Sequence, residues 1–531
     1  MDADIDYSLP YSSRRPIVCA KNIVATSQPL AAQAGARMLA AGGNAVDAAL
    51  AAAMAATVVE PTGCGLGGDA FAIVWDGSRV HGLNGSGPSP ARWEAGVFEG
   101  LQKMPSRGWA SVTVPGVVAS WEALSRRFGR LPFARLFEPA ISYARDGFMV
   151  SPVIATLWAA IAHKYQDQPG FRECFLPAGR APVPGEAFAN PGLAASLEMI
   201  AREGSDAFYR GGLAEKLLAW SQLHGGLLSK EDLAGYEPFW CGTIQKDLGG
   251  ATIHEIPPNT QGIATLIGLG ILSRFDLGQY APDSAEFIHL CIEAMKLAFA
   301  DTEAYIADQH LNSFDVQSLL SDEYLSGRAA LIDPASAKTY AAGAPAQGGT
   351  VYICAADENG MMVSFIQSNY EGFGSGVVVP ETGISMQNRG MGFSLQAGHP
   401  NCVGPRKRPF HTIIPGFATQ GNSPLMAFGV MGGPMQAQGH MQVALRTLVF
   451  KQNPQAAIDA PRWQYRAGKE VLVERAMPAE VVEGLRQRGH EVSVDQGEAV
   501  FSFGGAQIIR RTANGYVAGS DHRKDGMAVG F

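Results

Sequence analysis

The sequence has few of the features that mark a nucleic-acid-binding or secreted protein. Charged residues make up only 17% of the 531 residues, the net charge is −8, and the only short basic run is Arg406-Lys407-Arg408. Nucleic-acid binding depends on a clustered basic surface, so we expect no nucleic-acid partner. Residues 1–6 are acidic and lack the basic and apolar regions of a secretory signal, which favours the cytoplasm.

Long apolar runs and cysteine pairs are also scarce. The most apolar stretch, Ala45–Val59, is shorter than a bilayer span and is interrupted by Asp47. This pattern predicts a buried helix and no membrane partner. The seven cysteines are scattered without a CxxC pair, and an odd number cannot all pair within one chain. We therefore interpret them as reduced thiols that hold no metal.

Cofactor and metal motifs are weak. Residues 65–68, Gly-Leu-Gly-Gly, resemble a nucleotide-binding loop but lack the lysine and the serine or threonine of a P-loop. His289 and Glu293 stand one helical turn apart, yet the sequence places no second histidine beside them. We predict neither a cofactor nor a metal.

The sequence does contain enough apolar residues, 47%, for a large core. Apolar residues recur with helical spacing in Ala31–Leu39, Ala45–Val58, Leu213–Leu223 and Ala285–Ala300, and Ser229 with Asp232 forms a capping box. Strand-like runs occupy Ala70–Trp75, Thr350–Ala356, Met361–Gln367, Gly376–Val379 and Leu425–Val430. Asn359-Gly360 predicts a hairpin that places Thr350 at the edge of a sheet. The pattern indicates mixed α and β structure.

Gly348-Gly349-Thr350 offers a threonine that could become a new N-terminus. A hydroxyl is a weak nucleophile unless a base lies beside it, and a free α-amine, with a pKa of about 7.7–8.0, is such a base. The Gly349–Thr350 bond must first break, which Thr350 Oγ could achieve by attacking the Gly349 carbonyl. Two preceding glycines tolerate the distorted backbone of that step. The tripeptide predicts a chain that cuts itself, with an ordinary turn as the other interpretation.

Further motifs follow in order along both halves of the chain. They are Gly42–Ala49, Gly65–Phe71, Pro115-Gly116, Ala144–Phe148, Ser364–Tyr370, Gly372–Gly376, Gln387-Asn388, Gly404–Pro409, Gly432-Gly433 and Ser520–Arg523. Together with the Gly-Gly-Thr site they resemble the γ-glutamyltransferase family of N-terminal-nucleophile hydrolases. The resemblance implies an α+β fold, a four-layer αββα sandwich. It implies that residues 1–349 and 350–531 become a large and a small subunit of one composite domain, a heterodimer that could pair further.

The resemblance also implies a catalytic role for individual residues. Thr350 matches the nucleophile, and Ser368 matches a second hydroxyl residue that hydrogen-bonds the nucleophile's amine. Gly432 and Gly433 match the pair whose backbone N–H groups form the oxyanion hole. Ser368 could otherwise be an ordinary polar residue at the end of a strand, and the glycine pair could otherwise be a turn.

The chain departs from the family where the substrate is recognised. Ser86 stands in place of the arginine that clamps the α-carboxylate in true γ-glutamyl enzymes. Gly392 stands in place of the aspartate that holds the α-amine. His411 and Thr412 replace two serines, and Arg389 replaces a glutamine. A pocket of Arg389, His411 and Thr412 could still hold an anion from another side.

Gly85-Ser86-Gly87 and the block Gly432–His440 resemble a branch that includes γ-glutamyltransferase-like proteins and oxamate amidohydrolase. We predict hydrolysis of a small amide next to a carboxylate, with oxamate as the best candidate and oxalate and ammonia as products. Ser86, Asn369 and Tyr370 complete the predicted substrate-binding set. Two alternatives stay open: γ-glutamyl hydrolysis or transfer, including acylase activity on glutaryl amides, and a catalytically silent binding protein of the same fold.

Overall fold

The computed structural model describes residues 15–312, 314–340, 349–497 and 502–531. Within them the strands are β1 (Val18–Ala20), β2 (Ile23–Thr26), β3 (Asp69–Trp75), β4 (Val80–Gly85), β5 (Phe148–Met149), β6 (Ala187–Phe188), β7 (Phe239–Trp240), β8 (Ile244–Leu248), β9 (Ala251–Glu255), β10 (Gly349–Ala356), β11 (Met362–Tyr370), β12 (Val378–Val379), β13 (Ile384–Ser385), β14 (Gly416–Gln420), β15 (Ser423–Met431), β16 (Trp463–Tyr465), β17 (Glu470–Val473), β18 (Glu491–Val494), β19 (Gly505–Thr512), β20 (Gly515–Ser520) and β21 (Met527–Gly530).

The α-helices of the same residues are α1 (Pro29–Ala40), α2 (Ala45–Val59), α3 (Val117–Phe128), α4 (Glu138–Asp146), α5 (Pro152–Ala162), α6 (Phe171–Phe175), α7 (Pro191–Glu203), α8 (Asp206–Tyr209), α9 (Gly212–Leu223), α10 (Lys230–Ala234), α11 (Gly262–Leu272), α12 (Ala285–Tyr305), α13 (Asp322–Ala329), α14 (Met435–Ala444), α15 (Pro454–Asp459) and α16 (Ala479–Gln487). None of the described helices combines the length and the apolar character needed to cross a membrane.

Two seven-stranded sheets form the centre of the described structure. The first sheet has the strand order β21-β2-β10-β11-β3-β4-β7, and the second has the order β1-β20-β19-β15-β14-β9-β8. Along β10, Val351 and Ile353 pack with α1 and α2, whereas Tyr352 and Cys354 pack towards the second sheet. This alternation explains why β10 reads as a continuous apolar run, since both of its faces are buried.

Helices cover the outer face of each sheet. Apolar residues of α1, α2, α3 and α7 share one cluster with the first sheet, and those of α11, α12 and α14 share another with the second. A separate cluster of buried residues from both sheets lies between them. The predicted α+β fold, a four-layer αββα sandwich, is confirmed.

Local sequence signals located several elements correctly. The four helices predicted from periodicity correspond to α1, α2, α9 and α12, and the last extends five residues beyond the predicted end, to Tyr305. The capping box at Ser229 and Asp232 is present at the start of α10. All residues of α2 are buried, including Asp47, whose carboxylate caps the helix start at Asn44. Helical periodicity and capping depend on residues that are close together in the sequence. These elements could therefore be predicted without knowledge of the rest of the fold.

The hairpin predicted at Asn359-Gly360 is present, because β10 and β11 pair antiparallel on either side of it. The predicted edge position of Thr350 is wrong for the strand as a whole, since β10 lies between β2 and β11. However, β2 pairs only with residues Ile353–Ala356 of β10. The amino-terminal end of β10 therefore extends past β2 and has a ladder partner on the β11 side alone.

Strands from both sides of the Gly349–Thr350 bond contribute to each sheet. In the first sheet β2, β3, β4 and β7 precede the bond, β10 contains it, and β11 and β21 follow it. In the second sheet β1, β8 and β9 precede it and the other four strands follow. The arrangement is thus one interleaved unit rather than two domains placed one after the other.

Candidate active site

Thr350 lies at an irregularity in the pairing of β10 with β11. Gly349 pairs with Tyr370 and Val351 pairs with Gln367, so one residue of β10 faces two of β11. Such a bulge turns side chains away from their regular direction. The Thr350 hydroxyl is buried and donates a hydrogen bond to Ser368 Oγ over 3.3 Å. The structure therefore brings together the two hydroxyl residues predicted as nucleophile and partner.

Gln436, in the first turn of α14, is a third residue at this position. Its side-chain Nε2 donates to Thr350 Oγ1 over 3.3 Å, and its Oε1 accepts from the backbone N–H of Ile414 over 3.0 Å. Gln436 had no predicted role, although it lies close behind the glycine pair. The contact is apparent only in the structure, where the direction of α14 brings the Gln436 amide to Thr350.

The glycine pair forms the turn between β15 and α14. Gly432 has φ +133° and Gly433 has φ +60°, both in the region that favours glycine. A side chain at Gly432 would also meet Gly504, whose Cα lies 3.0 Å from the position of a Cβ. The Gly433 carbonyl accepts from Gln261 Nε2 over 2.8 Å. The pair thus stands at the start of a helix, where backbone N–H groups lack helical acceptors.

Arg389 is a buried cation with few partners. Its Nη1 donates to Thr412 Oγ1 over 2.9 Å, and its guanidinium stacks on the Tyr370 ring with its carbon 4.4 Å from the ring centre. Among the described residues, Nε and Nη2 have no hydrogen-bond acceptor. Burial lowers the pKa of Arg389 to about 10, so it stays charged at neutral pH. Three predicted substrate-binding residues therefore meet around a cation with two open donors.

His411 is held by a carboxylate that the sequence analysis did not assign. Its Nε2 lies 3.1 Å from Asp69 Oδ2, and both side chains are fully buried. Burial raises the pKa of Asp69 to about 7, against the lowering effect of Arg389. Burial and the nearby Arg389 charge lower the pKa of His411, which favours a neutral imidazole. Asp69 belongs to the 65–71 motif, so the sequence did mark this segment. Nothing in the sequence, however, identified His411 as the partner of Asp69.

The remaining two predicted substrate-binding residues are hydrogen-bonded elsewhere. Ser86 Oγ donates to Asn84 Oδ1 over 2.7 Å. Asn369 Nδ2 donates to Ser385 Oγ over 2.9 Å, and no described group donates to Asn369 Oδ1. The Ser86 hydroxyl is thus part of a polar cluster with Asn84 and Asn259.

A cavity of about 370 Å³ opens beside this group of residues. Tyr370, Gly392, Thr412 and Pro434 are among the residues that line it. Pro434 directly follows the glycine pair, so the cavity runs from the Arg389 cluster past the start of α14. Arg389, Thr350 and the glycine pair lie next to these lining residues in the sequence or in contact with them but are not among the residues that line the cavity.

The structure corrects the expectation that no second histidine joins His289 and Glu293. His490 Nε2 lies 2.8 Å from His289 Nδ1, and the three residues form the one group of possible metal ligands found among the described residues. The Glu293 carboxylate is already hydrogen-bonded to Lys296 and Tyr340. Burial lowers the pKa of His490 to about 3, so this imidazole is neutral.

Comparisons with known proteins agree with this geometry. A family model described as Gamma-glutamyltranspeptidase matches residues 31–531. The glutathione hydrolase-like YwrD proenzyme of Bacillus subtilis is 36% identical over 97% of this chain and 100% of its own length. The oxamate amidohydrolase proenzyme of Klebsiella pneumoniae is 38% identical over 94% of this chain and 97% of its own. The crystal structure of cephalosporin acylase from Bacillus halodurans is 47% identical, with a TM-score of 0.95 and 99% of each chain covered.

Proposed function

This chain belongs to the gamma-glutamyltranspeptidase family and is an N-terminal-nucleophile amidohydrolase, and on that premise we propose that it hydrolyses small amides that carry a carboxylate. Oxamate is the first candidate substrate, and oxalate and ammonia are the expected products. The observation that carries the proposal is the buried Arg389 guanidinium with two open donors beside Thr412. A carboxylate is the group that such a pair of donors binds best.

Maturation is the first step of the proposed chemistry. Thr350 Oγ attacks the Gly349 carbonyl, its proton passes to the departing Thr350 nitrogen, and the peptide bond becomes an ester. One water then hydrolyses the ester and leaves a carboxylate on Gly349 and a free amine on Thr350. The hydrogen bonds of Ser368 and Gln436 to the hydroxyl fix its direction. The names of two relatives, both proenzymes, support processing into fragments 1–349 and 350–531.

Substrate hydrolysis then reuses the same hydroxyl. The freed α-amine of Thr350 takes the hydroxyl proton while Oγ attacks the amide carbon. The N–H groups of Gly432 and Gly433 stabilise the oxyanion, and Arg389 with Thr412 holds the neighbouring carboxylate. The substrate nitrogen leaves with the transferred proton, as ammonia from oxamate. Water hydrolyses the remaining Thr350 ester and restores the enzyme.

Intact-mass analysis, N-terminal sequencing of the smaller fragment and ammonia release from oxamate test the proposal together. We expect two fragments, the smaller beginning at Thr350, and ammonia formation that depends on processing. A processed protein that releases no ammonia from oxamate would contradict the substrate assignment. An uncut chain that a covalent N-terminal-threonine trap does not label would favour the catalytically silent alternative.

Acylase activity is the second candidate, and the size of the cavity favours it. Its 370 Å³ exceeds what oxamate fills, and the structure with 47% identity is named a cephalosporin acylase. Release of an amine from a glutaryl amide, compared with ammonia release from oxamate, separates the two candidates. γ-Glutamyl transfer is less favoured because Gly392, in the cavity wall, offers no carboxylate to a substrate amine.

Location and assembly complete the proposal. The seven cysteines are unpaired in the structure, which supports a reducing compartment such as the cytoplasm. The processed heterodimer would be the smallest working unit. Cell fractionation and light scattering of the purified protein test these two points.

A further inference from the structure

Asp69, the first residue of β3, is a buried carboxylate to which the proposed chemistry gives no role. Its side chain is fully buried, its Oδ1 accepts from the backbone N–H of Gly116 over 3.0 Å, and its Oδ2 lies 3.1 Å from His411 Nε2. Asp69 precedes the Gly349–Thr350 bond in the chain, whereas His411 follows it. The pair would therefore join the two fragments of a processed chain.

The hydrogen bonds of His411 decide which member of the pair can change its charge. His411 Nδ1 accepts from the backbone N–H of Ile413 over 3.4 Å. The ring proton therefore lies on Nε2, which donates to Asp69 Oδ2. Both ring nitrogens are engaged, and burial lowers the pKa of His411, so the imidazole stays neutral. Asp69 is the member of the pair that gains or loses a proton near neutral pH.

Two contacts connect Asp69 to the proposed carboxylate anchor. His411 directly precedes Thr412, whose Oγ1 accepts from Arg389 Nη1 over 2.9 Å. Burial raises the pKa of Asp69 to about 7, although the positive charge of Arg389 acts to lower it. The Arg389 guanidinium has two donors without an acceptor among the described residues. A substrate carboxylate bound to those donors would use the same positive charge and would favour the protonated form of Asp69.

Two arginines and two tyrosines also act on Asp69, and they keep their charge near neutral pH. Arg389 and Arg408 are cations, and burial lowers the pKa of Arg389 only to about 10. Burial raises the pKa of Tyr209 and of Tyr236, so both phenols stay neutral. A second carboxylate arriving beside Arg389 would therefore change the protonation of Asp69 itself.

We propose that Asp69 is a specificity-determining residue, which takes up a proton when a substrate carboxylate binds to Arg389 and which repels that carboxylate when ionised. This inference rests on the proposed function, because the anchoring role of Arg389 is taken from it. One proton moves from solvent to an Asp69 oxygen for each carboxylate bound, and no covalent bond breaks. Affinity for carboxylate substrates should therefore fall as pH rises above about 7, where Asp69 of the free enzyme is ionised. Affinity for neutral amides should not depend on Asp69.

The size of the effect follows from the Coulomb repulsion between two carboxylates. At a separation of roughly 7–10 Å and an effective dielectric constant of about 20, ionised Asp69 would weaken the binding of a carboxylate about 10- to 50-fold. The repulsion is nearly absent at pH 6, where Asp69 is mostly protonated, and it is fully developed at pH 9.

Calorimetric titration of the processed wild-type enzyme with propionate, a carboxylate that has no amide to hydrolyse, measures the proton directly. Heats measured at pH 7.5 in two buffers of different ionisation enthalpy should show uptake of about half a proton or more per propionate bound. Propionamide, the neutral counterpart, should show none. Asp69→Asn should abolish the uptake, and Arg389→Met should weaken propionate binding at least about tenfold.

The ratio of kcat/KM for oxamate to that for oxamide, its neutral diamide, tests the same point during turnover. Deprotonation of the Thr350 amine affects both substrates equally, so it cancels in the ratio. We expect the ratio to fall about 10- to 50-fold from pH 6 to pH 9 in wild type and to change less than about twofold in Asp69→Asn. Asp146→Asn, which removes the same charge at an exposed position of α4, is the matched control and should keep the wild-type profile.

The outcomes separate failure of the inference from failure of the proposed function. Turnover of oxamate with a ratio that is constant in wild type, or that falls equally in Asp69→Asn, overturns the inference and leaves the proposed function intact. Proton uptake that requires both Asp69 and Arg389, without turnover of oxamate, supports the inference and contradicts the proposed substrate. Absence of propionate binding or of proton uptake in wild-type enzyme overturns the inference. Asp69→Ser replaces Asp69→Asn if the latter does not fold, and uptake that persists in it also overturns the inference.

Discussion

Arg389 and Arg462 are both buried arginines, but their different partners predict opposite effects when each is replaced by methionine. Among the described residues, the Arg389 guanidinium has one hydrogen bond, to Thr412, and two donors without an acceptor. Arg462 donates to Asp521 Oδ2 and to the Phe503 carbonyl, both over 2.7 Å, and also to a third acceptor. We expect Arg389→Met to stabilise the fold and Arg462→Met to destabilise it.

The magnitudes follow from the cost of burying a charge. Replacing a buried ion pair with apolar residues of similar volume is neutral or stabilises a protein by about 1–4 kcal/mol, and we use this range for Arg389 because its guanidinium is poorly compensated. The lost hydrogen bond to Thr412 offsets about 0.5–1.5 kcal/mol of this gain, so we expect a net gain of about 1–2 kcal/mol for Arg389→Met. Removing Arg462 leaves Asp521 buried without its partner and should cost about 3–5 kcal/mol.

Differential scanning calorimetry on uncleaved Thr350→Ala protein provides the assay, because one chain is then compared throughout. The unfolding entropy of 531 residues is about 1.1 kcal/mol per degree, so about 1 kcal/mol shifts the Tm by about 1 °C. We expect Arg389→Met to raise the Tm by about 1–2 °C and Arg462→Met to lower it by about 3–5 °C. In processed enzyme, Arg389→Met should raise the KM for oxamate by about 10- to 100-fold.

The comparison refutes the reasoning if both variants lower the Tm by similar amounts. Such a result would show that Arg389 contributes to the fold as Arg462 does, and that its open donors are not reserved for a ligand. A higher Tm with an unchanged KM would keep the stability argument and reject Arg389 as the carboxylate anchor.

Three further predictions concern the other residues of the site. Thr350→Ala should leave one full-length inactive chain by intact mass, and cleavage in this variant would reject Thr350 as the nucleophile. Gln436→Ala removes a hydrogen bond to the Thr350 hydroxyl and leaves the Ile414 N–H without its acceptor, so self-cleavage should slow by about 5- to 50-fold on electrophoresis; an unchanged rate would contradict its positioning role. Burial raises the pKa of Asp69 from 3.8 to about 7, so the folded state binds the Asp69 proton more tightly than the unfolded state does. The free energy of unfolding therefore falls as pH rises from about 4 to 7, because Asp69 loses its proton more readily in the unfolded chain. Urea unfolding at pH 5 and pH 8 should show Asp69→Asn gaining stability relative to wild type at the higher pH, and parallel pH profiles would contradict the raised pKa.

Features that depend on neighbouring residues could be predicted from the sequence. The Asn359-Gly360 hairpin formed because a two-residue turn brings its flanking runs together without help from distant segments. The capping box of Ser229 and Asp232 is equally local. Thr350 and Ser368 met for the same reason, since they lie on the two strands of that hairpin.

Features that join distant segments could not be predicted in this way. The edge position expected for Thr350 holds only for the start of β10, because β2, more than 300 residues earlier, pairs with the other end of the strand. Asp69 reaches His411 across 342 residues, and His490 reaches His289 across 201. No local pattern marks such partners, because burial and charge at these positions are decided only when the two sheets and their helices pack together.

The position of β10 between β2 and β11 determines whether folding or cleavage at Thr350 should come first. If the small fragment were released before folding, its first strand would have to insert between a strand of the other fragment and its own neighbour. Loop closure within one connected chain brings these strands together at a far lower entropic cost than an encounter of two separate polypeptides. On the proposed self-cleavage, scission at Thr350 would therefore be the last step, on an assembled molecule. We therefore expect the two fragments, when produced from separate genes, to assemble less efficiently than the single connected chain folds.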